Sequence, residues 1–246
     1  SDDLVSHIEK IKTKAIFLIN LRNNVVLPKS KMFRFNSPYY DLIDNVEKNK
    51  FKVPYFMEML ESWYVSRSLM LVSKKWPEII QNILDGGNSV YGIATLPSGP
   101  VGRVQRLEYL HFQELKDLKI NFSSSFHGKS DFIFMTSKML EDNEIYFYNG
   151  IFFTDHTPLV ELVEEIIHRS FPNYLVLIDN KRDELEKIRQ ICLEHNISFL
   201  SIIYRGVELI TDKFDPELVK IQKEYFFNHQ RWLEDEQAKA FLDKEE

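Results

Sequence analysis

Asn20, Arg22 and Asn24 follow an apolar stretch that begins Ala15-Ile-Phe-Leu-Ile, in a chain of 246 residues. An arginine can grip a phosphate with two parallel hydrogen bonds, so Arg22 with Asn20 and Asn24 suits a phosphate or nucleotide, and Thr95 ends a second apolar run. A second set follows the apolar run Tyr174-Leu-Val-Leu-Ile, where Asp179-Asn180-Lys181-Arg182-Asp183 offers two spaced carboxylates. Carboxylate oxygens are the ligands that Mg²⁺ prefers. Plainer roles compete with both readings. Threonine is a good turn or helix-cap residue, and aspartate serves equally well at strand ends and caps. Asn20 offers a metal only a neutral amide oxygen, and Arg22 turned inward would repel a divalent cation, because guanidinium stays protonated. His156 is a candidate base, but no serine or cysteine stands beside it in a nucleophile-elbow pattern, which favours a loop or capping role.

Residues 15–21 are apolar almost throughout, as expected of a parallel strand buried on both faces. A helix is expected before it, over Val5 to Lys14. Between Lys29 and Asn88 the spacing predicts helices, including Pro54 to Ser73 and Pro77 to Leu84, with proline where its missing N–H costs nothing. Gly86-Gly87-Asn88 breaks this run, and Ser89 to Thr95 reads as a second strand. Gly102 to Lys119 returns as a helix. Asn149-Gly150 between Glu144 and Thr154 predicts a hairpin, since these two residues tolerate the positive φ angles of a tight turn. Helices over Pro158 to Arg169 and Asp183 to His195 then alternate with strands over Tyr174 to Ile178 and Ser198 to Tyr204, which implies a parallel sheet. A long charged helix or helix pair closes the chain from Pro216 to about Leu242. The expected organisation is an α/β core of residues 1–28 and 89–215, a helical insertion over 29–88 capping the sheet, and a C-terminal helical extension over 216–246 packed on the core.

The formal net charge is −6. That leaves no basic excess to neutralise a phosphate backbone, so no nucleic-acid partner is expected, and an anionic membrane surface is disfavoured on the same ground. No apolar run approaches the roughly 18 to 20 residues a transmembrane helix needs. The single cysteine, Cys192, forms no internal disulfide and reads as a small buried hydrophobe. The chain opens Ser-Asp-Asp, as a trimmed or mature form would, which leaves both a cytoplasmic and an exported location open.

The stretch Asn20-Leu-Arg22-Asn-Asn24 resembles the first motif of the haloacid dehalogenase superfamily, a hydrophobic strand followed by Asp-x-Asp-x-Thr. Asn20 stands where that family has its nucleophile, Arg22 at the acid/base and Asn24 at the threonine. Thr95 matches the second-motif hydroxyl, while Asp179 and Asp183, with Asn180 between, match the acidic pair that holds Mg²⁺. No lysine lies between Lys138 and Lys181, so the neutralising third-motif lysine is missing, and Thr154-Asp-His-Thr-Pro158 occupies its place. The likeness extends to a bacterial acid-phosphatase-like family of unknown function common in intracellular pathogens. It is carried by Asn20 to Pro28, Tyr148 to Thr154, Leu175 to Lys181 with Ile197 to Arg205, and Gln230 to Ala238.

The resemblance implies a Rossmann-like core with a helical cap after the first strand, a hairpin before the fourth-motif strand and a long C-terminal helix. It also implies a lost activity. The expectation is a pseudophosphatase with no catalytic residues and no cofactor, acting by binding a protein, with Tyr39, Tyr40, Trp63, Tyr64 and Trp232 as its interaction surface. Two alternatives stand beside it: a phosphate- or nucleotide-binding protein using the residual pocket, and a Mg²⁺-dependent phosphatase with an unconventional nucleophile.

Overall fold

The computed structural model describes residues 8, 11, 14–34, 36–134, 144–155, 157–180, 182 and 184–245. Most of the helix expected over Val5 to Lys14 lies outside them, as do His156, Lys181 and Asp183. In chain order the elements are β1 (Ile16–Asn20), β2 (Val26–Pro28), a 3₁₀ turn (Lys31–Phe33), α1 (Leu42–Lys48), α2 (Phe56–Ser66), β3 (Leu69–Leu71), α3 (Trp76–Asp85) and β4 (Ser89–Ala94). Then come α4 (Leu107–Asp117), β5 (Asp131–Phe134), β6 (Ile145–Tyr148), β7 (Ile151–Phe153), α5 (Leu159–Ser170), β8 (Tyr174–Asp179) and α6 (Leu185–Glu194). The chain ends with β9 (Ser198–Ile203), a second 3₁₀ turn (Gly206–Leu209), α7 (Pro216–His229) and α8 (Asp235–Glu245).

These elements fall into two compact units. The first comprises residues 1–26, 71–98 and 108–206, and the second residues 27–70, 99–107 and 207–246.

The first unit is a mixed α/β body built on a seven-stranded sheet of order β5-β6-β7-β4-β1-β8-β9. β7, β4, β1, β8 and β9 run parallel to their neighbours, and β5 and β6 add an antiparallel edge. The five parallel strands share their order with the first five strands of the doubly wound dinucleotide-binding sheet. From β1 the chain moves to β4 and β7 on one side, then returns to β8 on the other, so the order reverses between β1 and β8. Phe17, Leu18 and Ile19 are wholly buried, which is why β1 reads as continuously apolar rather than alternating. Leu162, Val163, Ile166 and Ile167 of α5 are all buried, and this stripe at helical spacing is worth roughly 1.5 to 3 kcal/mol per side chain. On the antiparallel side Tyr91, Phe126, Phe134, Phe147 and Phe152 form a ring cluster, with Phe147 and Phe152 4.8 Å apart and Phe134 and Phe152 5.0 Å apart.

The Asn149-Gly150 hairpin forms as expected, with φ of 44° and 91°. Gly150 has a second reason to be glycine, because a Cβ there would lie 2.6 Å from the Ser123 carbonyl oxygen. Three elements depart from the sequence expectation. The helix expected over Pro54 to Ser73 stops at Ser66, where Arg67 turns extended (φ −65°, ψ 148°) and Leu69–Leu71 leaves for strand pairing. α4 starts at Leu107 rather than Gly102, because Val101 and Val104 bond to each other across a tight turn. β5, with no strong alternation of its own, exists through its pairing with β6.

The second unit holds β2 with β3, α1, α2, α7 and α8. Its centre is aromatic: the Phe33 and Trp63 ring centroids are 4.7 Å apart, Trp63 and Trp232 4.8 Å, and Phe226 and Trp232 5.9 Å. Trp63, Tyr64 and Trp232 are therefore buried, at 3%, 1% and 3% exposure. This corrects the expectation of an interaction surface at those three residues: the spacing of Trp63 and Tyr64 on α2 reflects core packing, as apolar stripes usually do, and Trp232 joins them from the link between α7 and α8. Tyr39 and Tyr40 stay half-buried, the Tyr39 ring lying under the Lys223 ammonium. A polar network runs beside the rings. Arg34, only 2% exposed, donates to the carbonyl oxygens of Pro28 (3.0 Å), Lys29 (3.0 Å) and Ser30 (3.2 Å). Ser30 donates to Asp235 at 2.6 Å, and Gln222 donates to Asp235, Ser30 and the Leu233 carbonyl. The C-terminal segment expected as one helix or a pair is a pair, broken where Gln230 takes φ 53°.

Candidate functional site

Parallel sheets bind ligands in the crevice beyond the carboxyl ends of their strands, where the strand order reverses. In the first unit that place lies between the ends of β1 and β8, and the terminal residues of those strands are Asn20 and Asp179. Both are buried, at 8% and 4% exposure. The Asn20 amide nitrogen donates to both carboxylate oxygens of Asp179, at 3.3 and 3.2 Å. The Asn180 backbone N–H adds a short bond of 2.6 Å to Oδ1. Charge-assisted bonds of this kind are about twice as strong as neutral ones. With its nitrogen committed to Asp179, Asn20 turns Oδ1 the other way, where this buried oxygen has no hydrogen-bond partner.

The chain leaves β1 through a tight turn. The Leu21 N–H bonds to the Ile93 carbonyl at 2.9 Å and so extends the pairing to β4, while the Val25 and Val26 N–H groups both bond to the Leu21 carbonyl at 3.0 Å. Asn23 supplies the left-handed position, φ 64°, a conformation asparagine accepts more readily than most residues. Asn24 is wholly buried and donates to the Arg22 carbonyl at 3.3 Å, and its own Oδ1 is a second buried oxygen without a partner. Asn24 thus holds the turn shut rather than presenting its amide to solvent. Arg22 is partly exposed, and its backbone bridges to Val26.

Thr95 follows β4 and is exposed. The next strand end carries Thr154, which is buried, bonds through its N–H to the Ala94 carbonyl at 3.0 Å and brings its hydroxyl within 3.5 Å of the same oxygen. Thr157 turns back with an N–H bond of 2.7 Å to the Thr154 carbonyl, and its buried hydroxyl has no partner. Sequence reasoning passed over the buried hydroxyls of Thr154 and Thr157, and Thr-Asp-His-Thr carried no signal beyond its position before α5. It also missed the pair of buried His111 and half-buried Glu114 on α4, whose Nδ1 and Oε2 are 2.8 Å apart, with the imidazole against the Phe153 ring. These residues lie three apart on a helix, and nothing in their spacing separates a buried pair from a solvated one.

The structure therefore brings Asn20, Asp179 and Asn180 into contact and sets Arg22 and Asn24 in the adjoining turn. Asp183 lies outside the described residues. The described part of that donor set, Asn20 with Asp179, does not by itself fit Mg²⁺. That ion wants oxygen ligands in a near-ideal octahedron, whereas Asn20 presents N–H hydrogens, not oxygen, to the Asp179 carboxylate. Among the described residues no group of three or more His, Cys, Asp or Glu is placed to hold a metal ion. None of their helices is long and apolar enough to cross a membrane. Elsewhere in the unit, Cys192 is fully buried and its thiol is pushed up to about 11 by that burial, so it is not a nucleophile at neutral pH.

An α/β protein with a mostly parallel sheet, and an amide–carboxylate pair where its strand order reverses, is the class that fold and site define. The chain belongs to the family described as Protein of unknown function (DUF2608), whose model matches residues 18–239. A relative from Rickettsia prowazekii (strain Madrid E), the Uncharacterized protein RP296, is 27% identical over 239 residues, covering 93% of this chain and 83% of its own. No solved structure matches the chain.

Proposed function

We propose that this protein is a catalytically degenerate relative of the haloacid-dehalogenase phosphatases that works by binding another protein rather than by turnover. One observation carries this reading: the Asn20 amide lies 3.2 to 3.3 Å from the Asp179 carboxylate, at the strand ends where that superfamily places its nucleophile and its metal-side aspartate. An amide cannot form the acyl-phosphate that a carboxylate forms, and the carboxylate that remains is occupied by that amide. Loss of covalent and acid/base catalysis together removes far more than the roughly 10²- to 10⁴-fold that acid/base catalysis alone supplies.

The resemblance to a family common in intracellular pathogens extends the reading to an exported factor that engages a host or bacterial protein. Retention of a phosphate in the old pocket is less well supported. The unpartnered buried atoms Asn20 Oδ1 and Asn24 Oδ1 are acceptors, and a phosphate brings further acceptors where a donor is needed.

The test is an aryl-phosphate assay with Mg²⁺, Mn²⁺ or Co²⁺, beside a thermal-shift screen of phosphorylated metabolites. Neither turnover nor stabilisation is expected. Turnover that disappears in Asp179→Ala would overturn the proposal and restore the enzyme reading, and a metabolite that raises the melting temperature would favour the pocket.

A further inference from the structure

The second unit carries an exposed segment whose composition departs from the rest of the chain. Between α1 and α2 runs Lys48-Asn-Lys50-Phe51-Lys52-Val-Pro-Tyr55-Phe-Met57, ten residues with three lysines and no acid, in a chain of net charge −6. Phe51 is 94% exposed, Tyr55 64% and Met57 43%, and the three lysines are exposed with them. The Lys50 ammonium lies 5.3 Å from the centre of the Phe51 ring.

The segment is shaped by its own bonds. The Asn49 side chain donates to the Asn45 carbonyl at 2.8 Å, closing α1, and the Lys52 N–H bonds to the Asn49 carbonyl at 2.7 Å, forming the turn that carries Lys50 and Phe51 outward. Tyr55 then takes φ 55° to start α2, a conformation that costs an L-residue and is kept where the surroundings impose it. The buried faces of both helices, Leu42, Ile43 and Val46 on one and Met59, Leu60, Trp63 and Tyr64 on the other, anchor its ends.

A phenylalanine this exposed is not core that failed to close. It protrudes, and aromatic and thioether side chains that share one exposed segment with three lysines suit an interface that is apolar within and anionic at its face. A bilayer of anionic lipids is such an interface. Aromatic rings settle at the headgroup level, lysine stems lie along apolar surface with the ammonium at the phosphates, and shallow insertion needs no spanning helix. The net charge of −6 disfavours an anionic surface for the chain as a whole, but screening over about 8 Å leaves the charges nearest the surface, here the three lysines, to dominate at this segment. The acids that flank the segment are Glu47, engaged by the Tyr64 hydroxyl at 2.8 Å, and Glu58 on α2.

From this we infer that residues 48–57 dock the protein peripherally on anionic lipid surfaces, Phe51, Tyr55 and Met57 inserting and Lys48, Lys50 and Lys52 meeting the headgroups. The inference stands apart from the fate of the strand-end site, since none of its residues belongs to that unit.

The experiment is co-sedimentation of the full chain with vesicles of phosphatidylcholine alone or with about one third phosphatidylserine, at low and high salt. Each lysine near an anionic surface is worth about fivefold in partitioning, so charge reversal of all three (K48E, K50E, K52E) should lower binding by at least roughly 100-fold. Phe51→Asp should lower it by roughly tenfold or more. Because every substituted side chain is exposed, melting temperatures should match the wild type, which separates lost docking from lost folding. Binding should weaken with salt and be slight on phosphatidylcholine alone. Failure of the wild type to sediment with anionic vesicles would overturn the inference, as would binding that Phe51→Asp leaves intact. Retention by soluble polyglutamate without retention by vesicles would reassign the segment to an acidic protein partner.

Discussion

In the sheet-bearing unit the core closes on hydrocarbon: Leu18, Ile93, Leu177, Phe147, Phe152 and the α5 stripe meet with no buried charge among them. In the second unit the rings of Phe33, Trp63 and Trp232 are stitched in place by Arg34, Gln222, Ser30 and Asp235. Dispersion and burial are non-directional, so a core of the first kind tolerates changes that keep volume and shape. A buried polar network is conditional on every member, because each lost partner leaves a desolvated group behind. Truncations should therefore hurt both units alike, whereas conservative exchanges should hurt the second far more.

The largest effects test the equal half of that statement. Phe152→Ala and Trp232→Ala should each cost about 3 to 5 kcal/mol, read by chemical denaturation, with hydrogen exchange showing loss of protection in the sheet strands for the first and in α2, α7 and α8 for the second. If Trp232→Ala leaves the second unit's protection untouched, the ring cluster is not its core.

Arg34→Lys tests the unequal half. The guanidinium reaches three consecutive carbonyls that a single ammonium cannot span, so about 2 to 3 kcal/mol should be lost. Phe147→Leu, an apolar exchange in the other core, should cost about half that.

Asn20→Asp probes a buried polar contact of the sheet-bearing unit. It sets a second carboxylate within about 3 Å of Asp179, so one proton of the pair is held more tightly in the folded protein than in the unfolded. A raised folded-state value stabilises below the ordinary carboxylate range and loses that stability as pH rises through it. The variant should match the wild type near pH 4 and fall about 1 to 3 kcal/mol below it at pH 7, with Ca²⁺ or Mg²⁺ restoring part of the loss in a thermal scan. A pH-independent difference would refute the geometry.

The smallest effect belongs to Glu234 in the second unit, whose carboxyl is raised by burial, against bonds from Trp232 Nε1 (2.9 Å) and the Ser68 N–H (3.0 Å) that lower it. Here too the sign is that of a raised acid: folding is favoured below the ordinary carboxylate range and penalised above it. Glu234→Gln keeps an acceptor oxygen for both donors, so it should flatten the melting-temperature profile between pH 4 and 6 while changing stability at pH 7 by about 1 kcal/mol or less.

The sheet was largely readable in the sequence because its signals are local: apolar runs for β1, β4 and β8, Asn149-Gly150 for the hairpin, and the stripe on α5. Asn20 and Asp179 were readable as strand-end residues, but not their contact, which depends on strand order across 159 residues of chain. β3 and β5 stayed hidden because short strands take their identity from the partner they pair with. The surface reading at Trp63 and Trp232 failed for a related reason. A helix face shows which side is apolar, not whether its cover lies in the same chain, and here the cover of Trp63 comes from a segment near the C-terminus.

That separation sets an order of assembly during synthesis. Ser30 bonds to a residue 205 positions later, so at ribosomal rates of 5 to 20 residues per second its partner arrives roughly 10 to 40 s after it. For that interval Phe33 and Trp63 emerge without Trp232, exposed to whatever binds apolar surface on a nascent chain. The second unit is thus the last part of the molecule able to close. A shortening of the C-terminus that removes Trp232 should send the chain to chaperones or into aggregates, even where every strand of the sheet is intact.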